Sequence, residues 1–484
     1  MSGSPFENES GSFLNWFKAW PGATFHPDIR IQDLRAHGAG RGIVATADIP
    51  EDTVLFNIPR DAIINTQTSE LARRIPAVFA TTGIEDVDNE ADEDGSETSG
   101  PPDNWVSLIL VMIYEYLQAD KSRWKPYFDV LPSEFETLMW WSDEELGHLQ
   151  ASSIVAKIGK EEANGIFRAK VLPVIQEHAD VIYPEGAERL SEDQLMSLAH
   201  CMGSTIMAYA FDLEKDEDAM DADEEDEWME DKDAQVLMGM VPMADILNAD
   251  ADFNAHVNHG EESLSVTSLR PIVAGQEILN YYGPLGNGEL LRRYGYVTDR
   301  HARYDVVELS WDLVLSVLKD DLTVNEAVWG QVMNELDPEE MEDAFVVDRD
   351  LDEPSPRGEV QDDATIKHLP EDLRDQINTV LKAVRKLSPE AIPDKEKRDE
   401  IATSTIKRAL ELRLAEYQTS ASDDARILEQ DQVSGRNRLA VIVRQGEKVL
   451  LQEAINLASE KINQLQPTRD GQDNEHAAKR QKRK

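Results

Sequence analysis

Cysteine is almost missing from this chain of 484 residues, in which Cys201 stands alone. An internal disulfide framework and a zinc cluster built on cysteine are therefore excluded, and a reducing intracellular compartment is the expected setting. Basic charge is scarce as well: 48 Lys and Arg face 95 Asp and Glu, a formal charge of −47 at pH 7. A chain of that sign does not track a nucleic-acid backbone as a whole, and a basic partner suits it better. Long apolar runs are also lacking. The longest, Trp105 to Leu117, is too short to span a bilayer and includes Glu115. The first residues, MSGSPFENESGSF, carry no basic stretch followed by an apolar one, so no secretory signal is expected and the chain reads as soluble. Its length predicts two to four domains, and no internal repeat is visible.

What is abundant is acid, and it is clustered. Residues 85 to 98, 212 to 233 and 335 to 363 carry net charges of −8, −12 and −11, about two thirds of the total. Such runs repel themselves and bury little apolar area, so each is expected as an exposed, mobile insertion between folded elements. The opposite sign gathers at the end, where Lys479, Arg480, Lys482, Arg483 and Lys484 form a basic tail that reads as a nuclear address or as a solvated terminus.

Hydrophobic periodicity orders the rest. Phe13, Trp16, Phe17 and Trp20 share a helix face, and DIRIQDL, GIVATA and TVLFNI then read as strands. From about 103 to 211 the period is helical, with Trp105, Leu108, Ile109, Met112 and Tyr116 on one face. Strand candidates return in NAHVNH, SLSVTSL and QEILNY, and Pro271 with Gly275 mark the turn between the last two. Beyond residue 364 long helices follow. Strands, helices, strands, helices predict a small β domain interrupted by a helical insertion and followed by a helical C-terminal domain.

Three segments carry candidate chemistry. His37-Gly38-Ala39-Gly40-Arg41-Gly42 places glycines two apart directly before a strand, where backbone amides can approach a carboxylate or phosphate. The spacing is wrong for a Rossmann fingerprint, and on these residues alone a hairpin turn is the better reading. Val241 to Asp250, VPMADILNAD, is an apolar segment that ends in polar residues. Asp250, Asp252, Asn254 and Glu261 imitate an EF-hand, but Ala255 stands where that loop requires glycine, and His256, Asn258 and His259 alternate as strand residues. In Tyr281 to Tyr296, Asn287 caps a short helix on which Leu290, Leu291 and Tyr294 share a face. Taken singly, Tyr282 is a strand residue and Tyr294 a core aromatic; taken together with the other two segments, the pairs Tyr282-Gly283 and Tyr294-Gly295 ask for more.

In order and wording, HGAGRGIVA, MADILNAD, GQEILNYYG and ELLRRYGYV resemble the SET-domain protein lysine methyltransferases. SRWKPYFDVLPSEFETLMWW and IMAYAF resemble the branch related to the Rubisco methyltransferases, and RLAEYQTSASDDARIL with NRLAVIVRQGEKVLLQEAIN resembles the C-terminal substrate-binding domain of that branch. MAYAF and LNAD are similar to the ribosomal-protein lysine methyltransferases of fungi and their animal relatives. The resemblance implies an α+β fold: a β-rich SET domain in two parts, 13–64 and 236–310, split by a helical insertion at 65–235. An all-α substrate-binding domain at 311–466 and a disordered basic tail at 467–484 would follow.

It also implies roles. Ala39, Gly40 and Arg41 would contact the amino-acid end of S-adenosylmethionine, and Tyr209 would be a further cofactor contact. Asn248 and Ala249 would lie beside the cofactor, Tyr282 would line the lysine channel and Tyr294 would sit at the methyl-transfer site. Many SET domains carry Asn-His where this chain has Asn248-Ala249, which leaves a backbone amide for the adenine side. No metal is implied. The expected substrate is a basic protein, a ribosomal one first, and the expected location is the nucleus, with the cytoplasm open too. Two other readings stand beside this one: a histone lysine methyltransferase, and a non-catalytic acidic binder of basic proteins on a SET scaffold. The acidic runs have two readings: each taken singly is better read as a solvated insertion, and as a functional hypothesis they would steer a lysine-rich substrate toward the site.

Overall fold

A computed structural model describes residues 4–37, 39–80, 104–213, 237–322, 324–337, 341–361, 363–430 and 432–465. The acidic runs at 85–98 and, beyond Leu213, at 214–233 lie outside the described residues, as does the basic tail at 467–484. The chain divides into two units. One comprises Met1–Met139, Gly159–Gly283 and Pro354–Val360, the other Trp140–Ile158, Pro284–Glu353 and Gln361–Lys484.

In the first unit the opening helix, Pro5–Lys18, starts earlier than its apolar face suggests. Ser4 and Glu7 form a reciprocal capping box, and Phe13 and Phe17 are fully buried. Short strands follow: β1 (Thr24–Phe25), β2 (Ile29–Asp33), β3 (Arg41–Ala45) and β4 (Val54–Pro59). After the helical stretch come β5 (Ala210–Asp212), β6 (Met238–Met240), β7 (Asn248–Ala249), β8 (Ala255–His259), β9 (Ser263–Ser268) and β10 (Glu277–Asn280). They form two four-stranded sheets, ordered β1-β4-β9-β8 and β2-β3-β10-β7, and a β5-β6 pair. Alternation sets the register: along β9, Leu264 and Val266 are buried in the core while Ser263, Ser265 and Thr267 are half-exposed. The β10-β7 pairing is parallel, with Leu279 opposite Asn248 and Asn280 opposite Ala249, so residues from distant parts of the chain become neighbours.

The helical stretch is built around Asn104–Leu117, whose residues from Val106 to Glu115 are all buried. Glu115 is tolerated there because its two carboxylate oxygens accept hydrogen bonds from the Ser69 and Ser122 hydroxyls, each 2.7 Å long. The helix Glu192–Tyr209, capped by Ser191 and Gln194, packs against it. No helix among the described residues is long and apolar enough to cross a membrane.

The second unit is helical apart from one pair of strands, β11 (Val307–Ser310) and β12 (Ala344–Val347). That pair corrects two expectations, an all-α domain and a fully exposed acidic run at 335–363. Within the run, Ala344-Phe345-Val346-Val347 has β-branched content and strict alternation, so Phe345 and Val347 are buried opposite Leu309 and Val307 while Val346 is 45% exposed. Charge does not prevent folding where a period-2 apolar face interrupts it.

Two further boundaries differ from expectation. Trp140–Ile158, read as part of the helical insertion, belongs to the second unit. There its backbone carbonyls accept from three arginines, Arg413 to Ala151 (2.7 Å), Arg444 to His148 (2.6 Å) and Arg436 to Trp140 (3.1 Å). The stretch 284–310, read as the end of the SET domain, belongs to the second unit as well.

A cluster of charges is sealed into this unit. Asp424 and Lys448 are wholly buried, and Arg444 is nearly so. Arg444 donates to both Asp424 oxygens, at 3.0 and 2.7 Å, and the Lys448 ammonium pairs with the same carboxylate while donating to Thr419. Removing the carboxylate strands two buried cations, whose desolvation is then uncompensated. Asp424→Ala is expected to lower the stability of the unit by about 3–5 kcal/mol, measured by urea unfolding; a change under about 1 kcal/mol would show that water or another carboxylate replaces it.

Candidate active site

The resemblance pointed to seven residues in the first unit and one in the second. In the first unit the strands β3, β7 and β10 bring several of them together. The Asn248 side-chain amide donates to the Arg41 carbonyl at 3.3 Å and to Glu277 Oε1 at 2.6 Å, joining all three strands. Gly42 makes room for this. A Cβ built on it would run into Leu34 Cδ1 and lie 2.6 Å from Glu277 Oε1, closer than real Cβ contacts come, and a tight 3.0 Å from Asn248 Nδ2. The glycine-rich segment is a β2-β3 hairpin connection, closed by the Leu34 amide donating to Gly40 (2.9 Å) and the Ala39 amide donating to Leu34 (3.3 Å).

The Arg41 side chain turns away from these groups. Its guanidinium donates to Ser10 Oγ (3.0 Å), the Val130 carbonyl (2.9 Å) and Glu9 (3.1 Å), and lies 3.9 Å from the centre of the Phe6 ring. Burial lowers its pKa, and the Glu9 carboxylate acts against that. What the segment Ala39–Arg41 can offer a ligand is therefore backbone, with Gly40 exposed.

Across β7 the Tyr282 hydroxyl donates to the Leu247 carbonyl at 2.7 Å, so the phenol is held with its oxygen beside the VPMADILNAD segment. In that segment Asp245 accepts a hydrogen bond from the Tyr127 hydroxyl and another from the Met243 amide (3.1 Å). Protein packed around the Asp245 carboxyl pushes its pKa up to about 7, opposed by the bonds from Tyr127 and Met243. Tyr209, which ends the helix Glu192–Tyr209, is pushed up to about 12 by burial, with the Asp245 charge adding to it. Asp245, Tyr209, Tyr282 and Asn248 all keep partial solvent exposure. Neutral phenols and backbone carbonyls place no positive charge against a sulfonium cofactor, and both Asp245 oxygens already accept from groups of the chain itself.

Tyr294 belongs to the second unit, at the end of the helix Asn287–Tyr294. Gly295, at φ 80°, ends that helix by donating its amide to Leu290 at 3.1 Å. Its other end is anchored: the Asn287 amide donates to Asp305 Oδ1 (2.9 Å), and Asn287 Oδ1 accepts from the Thr298 amide (2.9 Å). Burial first, and the nearby Glu447 charge next in that direction, push the Asp305 pKa up to about 7. Its Oδ2 has no hydrogen-bond partner among the described residues and lies against Gly446, which leaves it room. Tyr294 itself is half-buried, and burial raises its pKa.

Four residues that shape these arrangements were not singled out from the sequence: Glu277, Asp245, Tyr127 and Asp305. Glu277 and Asp245 lie inside the quoted segments, and an acid inside an otherwise apolar segment is the signal that marks both. Tyr127 and Asp305 carry no comparable signal, because their partners are distant in sequence.

The chain is similar to known proteins in sequence and in fold. A family model described as SET domain matches residues 40–283, and one described as Rubisco LSMT substrate-binding matches residues 344–451. Ribosomal lysine N-methyltransferase 4 of Saccharomyces cerevisiae is 32% identical over 66% of this chain, and the match spans 62% of that relative's length, less than two thirds. N-lysine methyltransferase SETD6 of Mus musculus is 27% identical over 94% of this chain and 92% of its own. In fold, the chain is similar to the SET domain of LSMT in a crystal structure bound to lysine and AdoHcy, with a TM-score of 0.63, 19% identity and coverage of 96% and 94%.

The two raised aspartates have a sign that can be tested. Each is pushed from the ordinary 3.8 up to about 7, so each binds its proton more tightly in the folded chain than in the unfolded one. Between those values the folded state holds extra protons, so their contribution to stability is greatest at low pH, declines as pH rises through the window and levels off above it. Urea unfolding at pH 5 and pH 8 should show this decline. Asp245→Asn and Asp305→Asn should each flatten it; an unchanged pH dependence in both would mean that neither carboxyl is protonated in the folded protein.

Proposed function

The chain belongs to the SET-domain family, and from that premise we propose that it is an S-adenosylmethionine-dependent protein-lysine N-methyltransferase whose substrate is a ribosomal protein. The observation that carries the reading is the strand junction of the first unit, where Asn248 ties β3, β7 and β10 together and Tyr282 is fixed on the Leu247 carbonyl. When bound, S-adenosylmethionine supplies a methyl group already activated on a sulfonium, which leaves positioning and electrostatics to the chain.

The remaining task is to present a neutral amine, whereas free lysine has a pKa of about 10.4. A channel walled by aromatic rings and backbone would disfavour the ammonium by desolvation. The phenols suit that task because they remain uncharged: Tyr209 is pushed up to about 12, and burial raises Tyr294 as well. A phenolate would hold the proton on the substrate, whereas a neutral hydroxyl orients the nitrogen lone pair. In this reading Tyr282 lines the lysine channel, Tyr294 serves the transfer, the backbone of Ala39, Gly40 and Arg41 receives the amino-acid end of the cofactor, and Tyr209, Asn248 and Ala249 flank it.

The ribosomal substrate rests on the name of the yeast relative and on charge. A chain of −47 attracts a basic partner and raises its rate of encounter. The basic tail supports a nuclear location. A second reading, a different basic protein such as a histone, is favoured by the mouse relative, which matches over more of both chains and whose name specifies no ribosomal target.

Transfer of radiolabelled methyl from S-adenosylmethionine to purified ribosomal proteins and to histones tests all of this. One ribosomal band is expected to be labelled on lysine. Tyr294→Phe should reduce labelling by about 10²-fold or more while calorimetric cofactor affinity stays within about threefold. Labelling of histones alone would move the substrate to the second reading. The absence of both labelling and cofactor binding would leave a non-catalytic acidic binder on a SET scaffold.

A further inference from the structure

Tyr127 lies outside every segment discussed as cofactor- or lysine-facing, yet it is wholly buried and its hydroxyl is spent on one atom, Asp245 Oδ2. Its ring has no freedom to do otherwise. Trp16 stacks on it at 6.5 Å between centroids with an interplanar angle of 11°, and Phe13 packs at 6.1 Å, both from the opening helix. Asp245 in turn uses its other oxygen to accept from the Met243 amide at 3.1 Å. Met243 needs that support: it is a buried non-glycine residue at φ 85° and ψ −40°, a region that side-chain-bearing residues rarely adopt. From this turn the chain makes the short helical turn Ala244–Ile246, closed by the Leu247 amide donating to Ala244 at 3.1 Å. It then delivers the Leu247 carbonyl that receives the Tyr282 hydroxyl at 2.7 Å.

Each link is a single hydrogen bond or a single turn, and together they connect a buried clamp to the Tyr282 phenol. We propose that Asp245, gripped by Tyr127, is a positioning residue: the pair holds the strained Met243 turn and thereby fixes the Leu247 carbonyl that orients the Tyr282 hydroxyl. Neither Tyr127 nor Asp245 needs to touch the substrate for this. The raised pKa of Asp245 fits the arrangement, since a carboxyl so enclosed is retained where its two hydrogen bonds are needed. The functional consequence rests on the methyltransferase reading, whereas the structural link from Tyr127 to Tyr282 does not.

The test uses the full-length protein with tyrosine labelled at the ring carbon bearing oxygen, and the Tyr282 resonance assigned by Tyr282→Phe. Tyr127→Phe removes one hydroxyl and keeps the ring. It is expected to move the Tyr282 resonance and to lower kcat by about tenfold or more, with KM for S-adenosylmethionine changed less than threefold. In a Tyr282→Phe background the same substitution should have little further effect on kcat, because both act through one hydroxyl. Asp245→Asn keeps an oxygen for the Met243 amide and should retain more activity than Asp245→Ala. A merely structural clamp would lower the unfolding midpoint and leave the Tyr282 resonance in place, and that result overturns the proposal, as does full additivity with Tyr282→Phe. If the wild-type protein transfers no methyl, the methyltransferase reading fails, and the resonance alone decides whether Tyr127 positions Tyr282.

Discussion

One side-chain amide organises the first unit. Asn248 donates both to the Arg41 carbonyl, 207 residues away along the chain, and to the Glu277 carboxylate, 29 away, and so binds three distant strands together. Such contacts close long loops, and the closure entropy grows only slowly with length, so a large insertion between β4 and β7 is thermodynamically tolerable. The cost lies in space rather than in chain. Gly42 is glycine where a Cβ would run into the Leu34 side chain and the Glu277 carboxylate. The same crossing places Leu247 where the Tyr282 hydroxyl can reach its carbonyl, so the strand junction and the orientation of the phenol are one construction.

Burial of acids recurs in both units and does related work. Asp245 supports a strained turn, and Asp305 holds the first amide of the helix that ends in Tyr294. In each case a carboxyl is kept in surroundings that disfavour its charge, and backbone amides are what it serves. A neutral side chain of the same shape would satisfy the amides nearly as well, which is why the raised pKa values indicate positioning more than charge. The Asp424 cluster differs. There the carboxylate is held between two cations and its charge is the point.

Much of this was legible in the residues. Alternation located β2, β3, β4, β8, β9 and β10, because strands with one buried face write their pattern into the sequence. The three segments that meet at β3, β7 and β10 were visible as motifs, since glycine, asparagine and tyrosine are spent only where backbone approach, amide bonding or a hydroxyl is needed. What could not be read was tertiary partnership. Arg41 sits in the glycine-rich segment, yet its guanidinium is committed to Glu9 and Ser10 in a helix whose apolar face alone had been noticed. Tyr294 sits one short helix beyond Tyr282, yet Asp305 and Thr298 tie that helix into the second unit. Composition misjudged the third acidic run for the same reason, since four apolar residues with the right alternation outweigh a dense charge count.

Charge acts in this protein on two length scales, and they should not be confused. The net −47 is a long-range field, useful for drawing in a basic chain over distances near the screening length of about 8 Å in physiological salt. On the methyltransferase reading it would be harmful at the point of reaction, because a nearby carboxylate stabilises the ammonium that must lose its proton. The enclosed carboxyl of the first unit is kept occupied. Asp245 accepts from Tyr127 and from Met243, and a pKa near 7 means that part of its population carries no charge at neutral pH. Tyr209 and Tyr294 remain protonated throughout the physiological range for the same reason, burial. On that reading, a net charge that draws in lysine and a site whose phenols and enclosed carboxyl decline to stabilise lysine's charge are complementary requirements.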